Sequence, residues 1–225
     1  EQHWELLNRS HALNNQLSGV QYQLSNQAFF IECDYNKSLE LMKKAIAISP
    51  NSAKSQQFLS FLYILSGDKT NALKHLDIAV GINPLSEETQ FFYAYYHYMV
   101  EDYDKASLLL DKCIKANSKN IPAHAVKSIC LLKMGRLQEV INYFDTIPQE
   151  IVILGEKTGA IGLAHALNGD KENTANYLKQ LTEQAAGPNG FTADSFLFFM
   201  HTVSGNKEKA FEWVENAIKN KSTLL

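Results

Sequence analysis

The sequence predicts an all-α protein, a right-handed solenoid of about six helix pairs, and three observations carry that expectation. Residues recur at a spacing of 34: Pro50 with Pro84, Ala45 with Ala79, Asp34 with Asp68, and Asp68 with Asp102. Within each period, small and apolar residues fall three or four positions apart, as on one face of a helix. Glycine, aspartate and proline sit between those stretches, where they turn or stop the chain.

The segment from Gly67 to Pro84 states the unit most plainly. Gly67 and Asp68 make a turn, Ala72, Leu76 and Ala79 line one helix face, and Pro84 ends the helix because it has no N–H to continue the ladder. Residues 1–18 lie outside the period. Their apolar stripe of Trp4, Leu6, Leu7, Leu13 and Leu17 predicts a capping or linker helix, since the end of a repeat array leaves a hydrophobic face uncovered. The array is expected to fill residues 19–225, with repeats at about 19–52, 53–86, 87–120, 121–154, 155–190 and 191–225.

Each repeat is expected to pair two antiparallel helices through small residues that allow close approach and large ones that fill the groove. In the first repeat these are Ser25, Asn26 and Phe29, then Ser38, Met42 and Ala45. The second repeat has Leu59, Ser60 and Tyr63, then Ala72, Leu76 and Ala79. The third has Tyr93, Ala94 and His97, then Ala106, Leu110 and Cys113. The fourth has Lys127, Ser128 and Leu131, then Val140, Phe144 and Ile147, with Pro148 stopping its second helix early. The fifth has Ile161, Gly162 and His165, then Thr174, Leu178 and Leu181. The sixth has Leu197, Phe198 and His201, then Ala210, Val214 and Ala217. The turns at Gly169 and Gly205 lie 36 residues apart, a slip absorbed by the loop Gly187-Pro188-Asn189-Gly190. The start at Glu1 and the apolar end at Leu224 and Leu225 read as a piece cut from a longer protein.

Composition bounds the function. The 225 residues are 45% hydrophobic and 20% charged, enough apolar content to bury a core. A net charge of −3 without a basic stripe argues against direct nucleic-acid contact. No apolar run reaches the length of a membrane span. Cys33, Cys113 and Cys130 are odd in number, widely spaced and embedded in helical patterns, so they read as free thiols in a reducing compartment. The expected location is therefore the cytoplasm, with the periplasm as the alternative if a membrane segment lies upstream.

With a period of 34 and matching small, aromatic and proline slots, the chain resembles the tetratricopeptide repeat family over nearly all of residues 19 to 220. Two stretches, Ile82–Ser86 and Gly205–Trp213, are similar to repeat arrays of bacterial signalling proteins. In those proteins the array sits beside a winged-helix or AraC-type DNA-binding domain, an adenylate cyclase or a kinase. The resemblance implies a regulatory interaction module that senses or recruits a protein or peptide and passes that state to an output domain.

Repeat stacking turns the first helices toward a concave surface. The candidate groove residues are Gln23, Gln27, Lys54, Gln57, Phe61, Phe91, Tyr95 and Tyr98. The third repeat stands apart, because Phe91-Phe92-Tyr93-Ala94-Tyr95-Tyr96-His97-Tyr98 puts seven rings in eight positions and one helix cannot hide them all on one side. The familiar groove of this family grips peptide carboxylates with asparagines and basic residues. Here the equivalent slots hold Gln27, Phe61 and Tyr95, so an apolar or aromatic peptide, or a partner helix, fits better. A homodimer that buries the rings and the apolar carboxyl end is the alternative.

Chemistry beyond binding finds no support in the motifs. The chain has no Gly-x-Ser-x-Gly and no phosphate loop of Walker type, and Gly155-Glu156-Lys157-Thr158 lacks the upstream glycines such a loop needs. His97, His165 and His201 share one slot in three repeats. Neighbouring slots lie on the order of 10 Å apart, too far for side chains that must each come within about 2 Å of one ion. No enzyme activity, cofactor or metal is expected.

Overall fold

The computed structural model describes residues 6, 16–147, 156–187 and 193–219. The expected helix at residues 1–18 lies almost wholly outside them, as do Pro148 and residues 188–190. Among the described residues there are twelve α-helices and no strand: α1 Ser18–Phe30, α2 Tyr35–Ile48, α3 Ala53–Leu65, α4 Lys69–Ile82, α5 Glu87–Met99, α6 Tyr103–Ala116, α7 Ile121–Lys133, α8 Leu137–Thr146, α9 Glu156–Leu167, α10 Lys171–Ala185, α11 Ala193–Val203 and α12 Lys207–Lys219. Five pairs of consecutive helices pack directly, α1 with α2, α3 with α4, α7 with α8, α9 with α10 and α11 with α12, and the turn at Glu101 joins α5 to α6. The chain divides into two compact units, Glu1–Leu109 and Leu110–Leu225, with the division inside α6.

The joints inside the pairs repeat as the sequence does. Residues 33, 67, 101, 135, 169 and 205 all have positive φ; four are glycine, and the others are Cys33 at 56° and Glu101 at 68°. This left-handed residue reverses the chain, and the next one bonds back across the turn. Asp68 N–H reaches Tyr63 O at 3.0 Å, Asp102 reaches His97 at 2.9 Å, Asp170 reaches His165 at 3.0 Å and Asn206 reaches His201 at 2.9 Å. Three of the aspartates that follow the left-handed residue, Asp34, Asp68 and Asp170, then cap the following helix. Asp68 Oδ1 accepts from Asn71 N at 3.0 Å, and Asp170 Oδ1 accepts from Asn173 N at 3.1 Å, each satisfying a backbone donor that the first helical turn leaves free.

In the first unit, Met42, Ala45, Phe58, Leu59 and Leu62 form a buried core, with Tyr22, Phe29, Tyr35, Leu39, Ile46, Phe61 and Tyr63 packed on it. Burial of each large side chain contributes about 1.5–3 kcal/mol. Where α1 crosses α2 the residues are small: Ser25 Oγ donates to Ser38 O at 2.8 Å and lies 2.9 Å from Ser38 Oγ, so both hydroxyls are paired inside the contact.

In the second unit, the core joins Leu131, Leu132, Val140, Phe144, Ile147, Ala160, Ile161, Ala164, Leu181, Ala193, Phe196, Leu197 and Met200. Gly159 and Gly162 let α9 pack tightly: a Cβ on Gly159 would lie 2.3 Å from Phe196 Cγ, and one on Gly162 would lie 2.7 Å from Tyr177 Cβ. Of the stretch that shares letters with a phosphate loop, Gly155 lies outside the described residues and Glu156, Lys157 and Thr158 begin a core helix. Of the expected second-helix residues, Leu178 and Val214 are half-buried and the others are buried.

Candidate partner-binding face

The first helices of the first unit, α1, α3 and α5, carry rings that touch from one helix to the next. Phe29 lies 6.0 Å from Phe58 and 5.4 Å from Phe61, and Phe61 lies 6.1 Å from Phe92 and 5.9 Å from Tyr95. Tyr95 continues the strip to Phe91 at 6.1 Å and to Tyr98 at 5.7 Å, and Tyr98 reaches Tyr103 at 6.1 Å. At the other end Phe30 stands 4.9 Å from Phe29 and 5.9 Å from Phe58, and is 56% exposed. Most of these pairs are tilted or edge-on, the arrangements that ring quadrupoles favour. Because late residues of each helix meet late residues of the next, the three helices run parallel.

Phe58 belongs to the buried core, but the strip built on it is partly open. Phe61, Phe91, Tyr95 and Tyr98 each keep part of their surface in water, and Gln23 and Lys54 are exposed. Burial pushes the Tyr95 phenol above its ordinary range, so it stays neutral at physiological pH. Gln57 departs from its expected place in an open groove. It is only 2% exposed, and its Nε2 donates to Thr89 Oγ1 of α5. Gln27 is half-buried, and its Nε2 donates to Glu32 Oε1 at 3.0 Å. The Oε1 atoms of both glutamines are enclosed without a donor.

Sequence reasoning placed Phe61, Phe91, Tyr95 and Tyr98 on one face but left out Phe29, Phe58 and Phe92, which link them. The signal was present in the 34-residue offset, since Phe58 and Phe92 occupy the same slot in successive repeats.

The histidines sit in separate local settings. His97 Nδ1 lies 3.3 Å from Asp102 Oδ2, and His165 Nδ1 lies 3.1 Å from Asp170 Oδ2, each facing the residue five positions on. His75 stacks on Tyr63 at 5.5 Å with Nδ1 2.6 Å from Gln56 Oε1. Gln56 Nε2 donates to Pro50 O, so His75 Nδ1 carries the proton. Burial pushes the Cys130 thiol up to about 12, far from the reactive thiolate form. Among the described residues no group of three or more His, Cys, Asp or Glu side chains could hold a metal ion. Two open depressions lie away from the ring strip, one lined by Lys69, Leu73, Lys74 and Tyr96 and the other by Asn173, Tyr177 and Gln180.

Comparison with known proteins fits this geometry. The family model described as anaphase-promoting complex, cyclosome, subunit 3 matches residues 66–147. No curated protein matches the chain in sequence. Similar solved structures include a tetratricopeptide repeat protein from Parabacteroides merdae, at 14% identity and TM-score 0.69, covering 86% of this chain and 75% of that one. PilF of Pseudomonas aeruginosa has 12% identity and TM-score 0.62, with 87% and 88% of the two chains covered. YrrB, described as a TPR protein with an unusual peptide-binding site, has 12% identity and TM-score 0.51, with 93% and 97% covered. At these identities the likeness is one of fold, and the fold is the tetratricopeptide-repeat solenoid.

Proposed function

We propose that the chain is a non-enzymatic protein-interaction module, and that the ring strip on α1, α3 and α5 holds a peptide or helix of its partner. The observation that carries this reading is the continuity of partly open rings from Phe30 to Tyr98 across three helices. Rings that only filled the core would be covered, whereas a partly open strip supplies the aromatic anchors on which interfaces draw much of their energy. Gln23 and Lys54 supply polar contacts at its border. The peptide-binding site described for YrrB, a protein of the same fold, supports the reading.

The partner belongs to a regulatory setting, in which this module reports binding to an output domain of a larger bacterial signalling or transcription-regulating protein. The resemblance of residues 82–86 and 205–213 to such arrays supports that assignment. No helix among the described residues is long and apolar enough to cross a membrane, and Cys33 and Cys130 form no disulfide. These thiols support a cytoplasmic location.

Selection of peptides from a displayed random library tests the interaction. Selected peptides should bind the native chain and lose binding to Tyr95→Ala and Tyr98→Ala, while circular dichroism shows both variants folded. Equal binding to folded variants would overturn the reading.

A second reading has its own observation. Phe211 and Ile218 lie seven residues apart on α12, 68% and 69% exposed. A homodimer would bury them. Sedimentation over a range of concentrations decides, and a monomer throughout removes the dimer.

A further inference from the structure

We propose that residues 6–13 fold back on α1 as an antiparallel hairpin and cover the α1 end of the partner-binding face, so that a partner must displace them. The proposal rests on the partner-binding reading above and adds the regulation of that face. An uncovered slot, two matching apolar stripes and a short tether support it.

The slot emerges when the repeats are compared. Leu24 of α1, Phe58 of α3 and Phe92 of α5 follow one another at intervals of 34 residues. Phe58 is closed by the first helix before it, with Phe29 at 6.0 Å and Phe30 at 5.9 Å, and is 5% exposed. Phe92 receives Phe61 of α3 at 6.1 Å. Among the described residues no earlier repeat precedes α1, and Leu24 stays half-buried. Leu17, just before α1, and Ile31, just after it, are each 47% exposed. Gln27, one turn from Leu24, holds the slot of Phe61 and Tyr95, so this open edge continues the ring face.

Two apolar stripes meet at that edge. Leu17, Leu24 and Ile31 are seven residues apart, and so are Leu6 and Leu13. Seven residues make about two helical turns, which returns a side chain to the same side. Leu6 is helical and 63% exposed, so its stripe also stands open. Gln16 lies in a turn and Leu17 is extended, at φ −88° and ψ 110°, before α1 begins at Ser18. A break this short is of the kind that joins antiparallel helices. In a hairpin that turns at Leu17, Leu6 comes level with Ala28, between Leu24 and Ile31. Helix α1 has no charged residue, so closing the hairpin takes none of its groups out of water as a bare charge.

The tether selects this occupant over a second copy or a free peptide. A segment held by a short linker sees its site at an effective concentration on the order of millimolar. A modest apolar contact then suffices to close the face, and a partner binds by outcompeting it.

Hydrogen exchange of the full chain, read by mass spectrometry, tests the hairpin. A helix this short is marginal in water on its own, so protection of amides 6–13 requires docking. They should be protected in the native chain and lose that protection in Ile31→Gln and in Leu6→Gln. Both positions are exposed and glutamine is a good helix former, so the variants fold. A peptide selected from the displayed library on the native chain should bind several-fold tighter to Leu6→Gln, because its competitor is released.

Rapid exchange of residues 6–13 in the native chain would overturn the hairpin, and the partner-binding face stands if the peptide still requires Tyr95. Protection that survives Ile31→Gln, or peptide affinity that is unchanged in Leu6→Gln, would also overturn the proposal, since the segment then docks away from the face. If no peptide binds either the native chain or Leu6→Gln, the partner-binding reading falls and its regulation with it.

Discussion

The Tyr143 hydroxyl lies 2.6 Å from Nδ1 of His124, and that contact fixes the proton on the other ring nitrogen. Nε2 lies 2.9 Å from the Ser118 carbonyl, which can only accept, so Nε2 donates and Nδ1 accepts from Tyr143. Tyr143→Phe removes that donor and leaves a partly buried acceptor unpaired, a loss of about 1–3 kcal/mol. Lys127 Nζ lies 4.8 Å over the ring, a contact that phenylalanine keeps, so the loss isolates the hydroxyl. Urea unfolding measures it, and an unchanged midpoint would refute the assignment.

Gly159→Ala and Gly81→Ala should move stability in opposite directions. At Gly159 the new methyl would meet Phe196 Cγ at 2.3 Å and Cβ at 2.8 Å, so α9 and α11 must part, at a cost of about 1–3 kcal/mol. At Gly81 there is nothing within 4 Å, and alanine gains about 0.5–1 kcal/mol as the better helix former. Thermal melts of the two variants give the signs directly.

The left-handed turn residue supplies a second pair of opposites. Glu101→Gly relieves a side chain held at φ 68° and should stabilise by about 0.5–1 kcal/mol. Gly67→Ala places a methyl at φ 81° and should destabilise by about 1 kcal/mol. A destabilised Glu101→Gly would show that the glutamate side chain, not the backbone, holds that turn.

His97 makes stability depend on pH below neutrality. Burial lowers its pKa, the Lys105 charge adds to the lowering, and Asp102 opposes it. Burial lowers His75 and His201 in the same way. A histidine with a depressed folded pKa binds its proton more readily when unfolded. Its contribution is therefore present above about 6.5, the unfolded value, and is lost as pH falls through the folded value. His97→Phe should flatten the decline in urea midpoint between roughly pH 7.5 and 5.5, and an unchanged slope would count against it.

Glu156 acts with the opposite sign. Burial raises its carboxyl to about 7, so its contribution is full below the unfolded carboxylate value and is lost as pH rises through about 7. Glu156→Gln should be more stable than the native chain at about pH 8 and no more stable near pH 4. Side-chain NMR titration should place the midpoint near neutrality.

Much of the scaffold was legible because helix periodicity reports which face meets the partner helix. Met42, Ala45, Ala72, Leu76 and Ala79 were read as packed and are buried. Cys33 and Glu101 were not recognised as equivalents of Gly67, because their shared property is a backbone angle and no glycine marks it. The candidate face was harder to read. The face that a residue occupies on its own helix does not say whether the neighbouring repeat will cover it. Gln57 was read as open, yet Thr89, 32 residues further along, closes over it.

The joint at each Gly-Asp turn is complete within about ten residues: a left-handed residue, a bond back to the first helix and, at Asp68 and Asp170, a carboxylate that starts the second. None of these bonds draws on another repeat. Whole 34-residue units can therefore be duplicated, deleted or exchanged without redesigning a single turn. The rings of α1, α3 and α5 have no such independence, since each is held by the repeat beside it. The length of the array and the identity of its ligand can thus change under separate constraints, the first by copying and the second only by neighbouring repeats changing together.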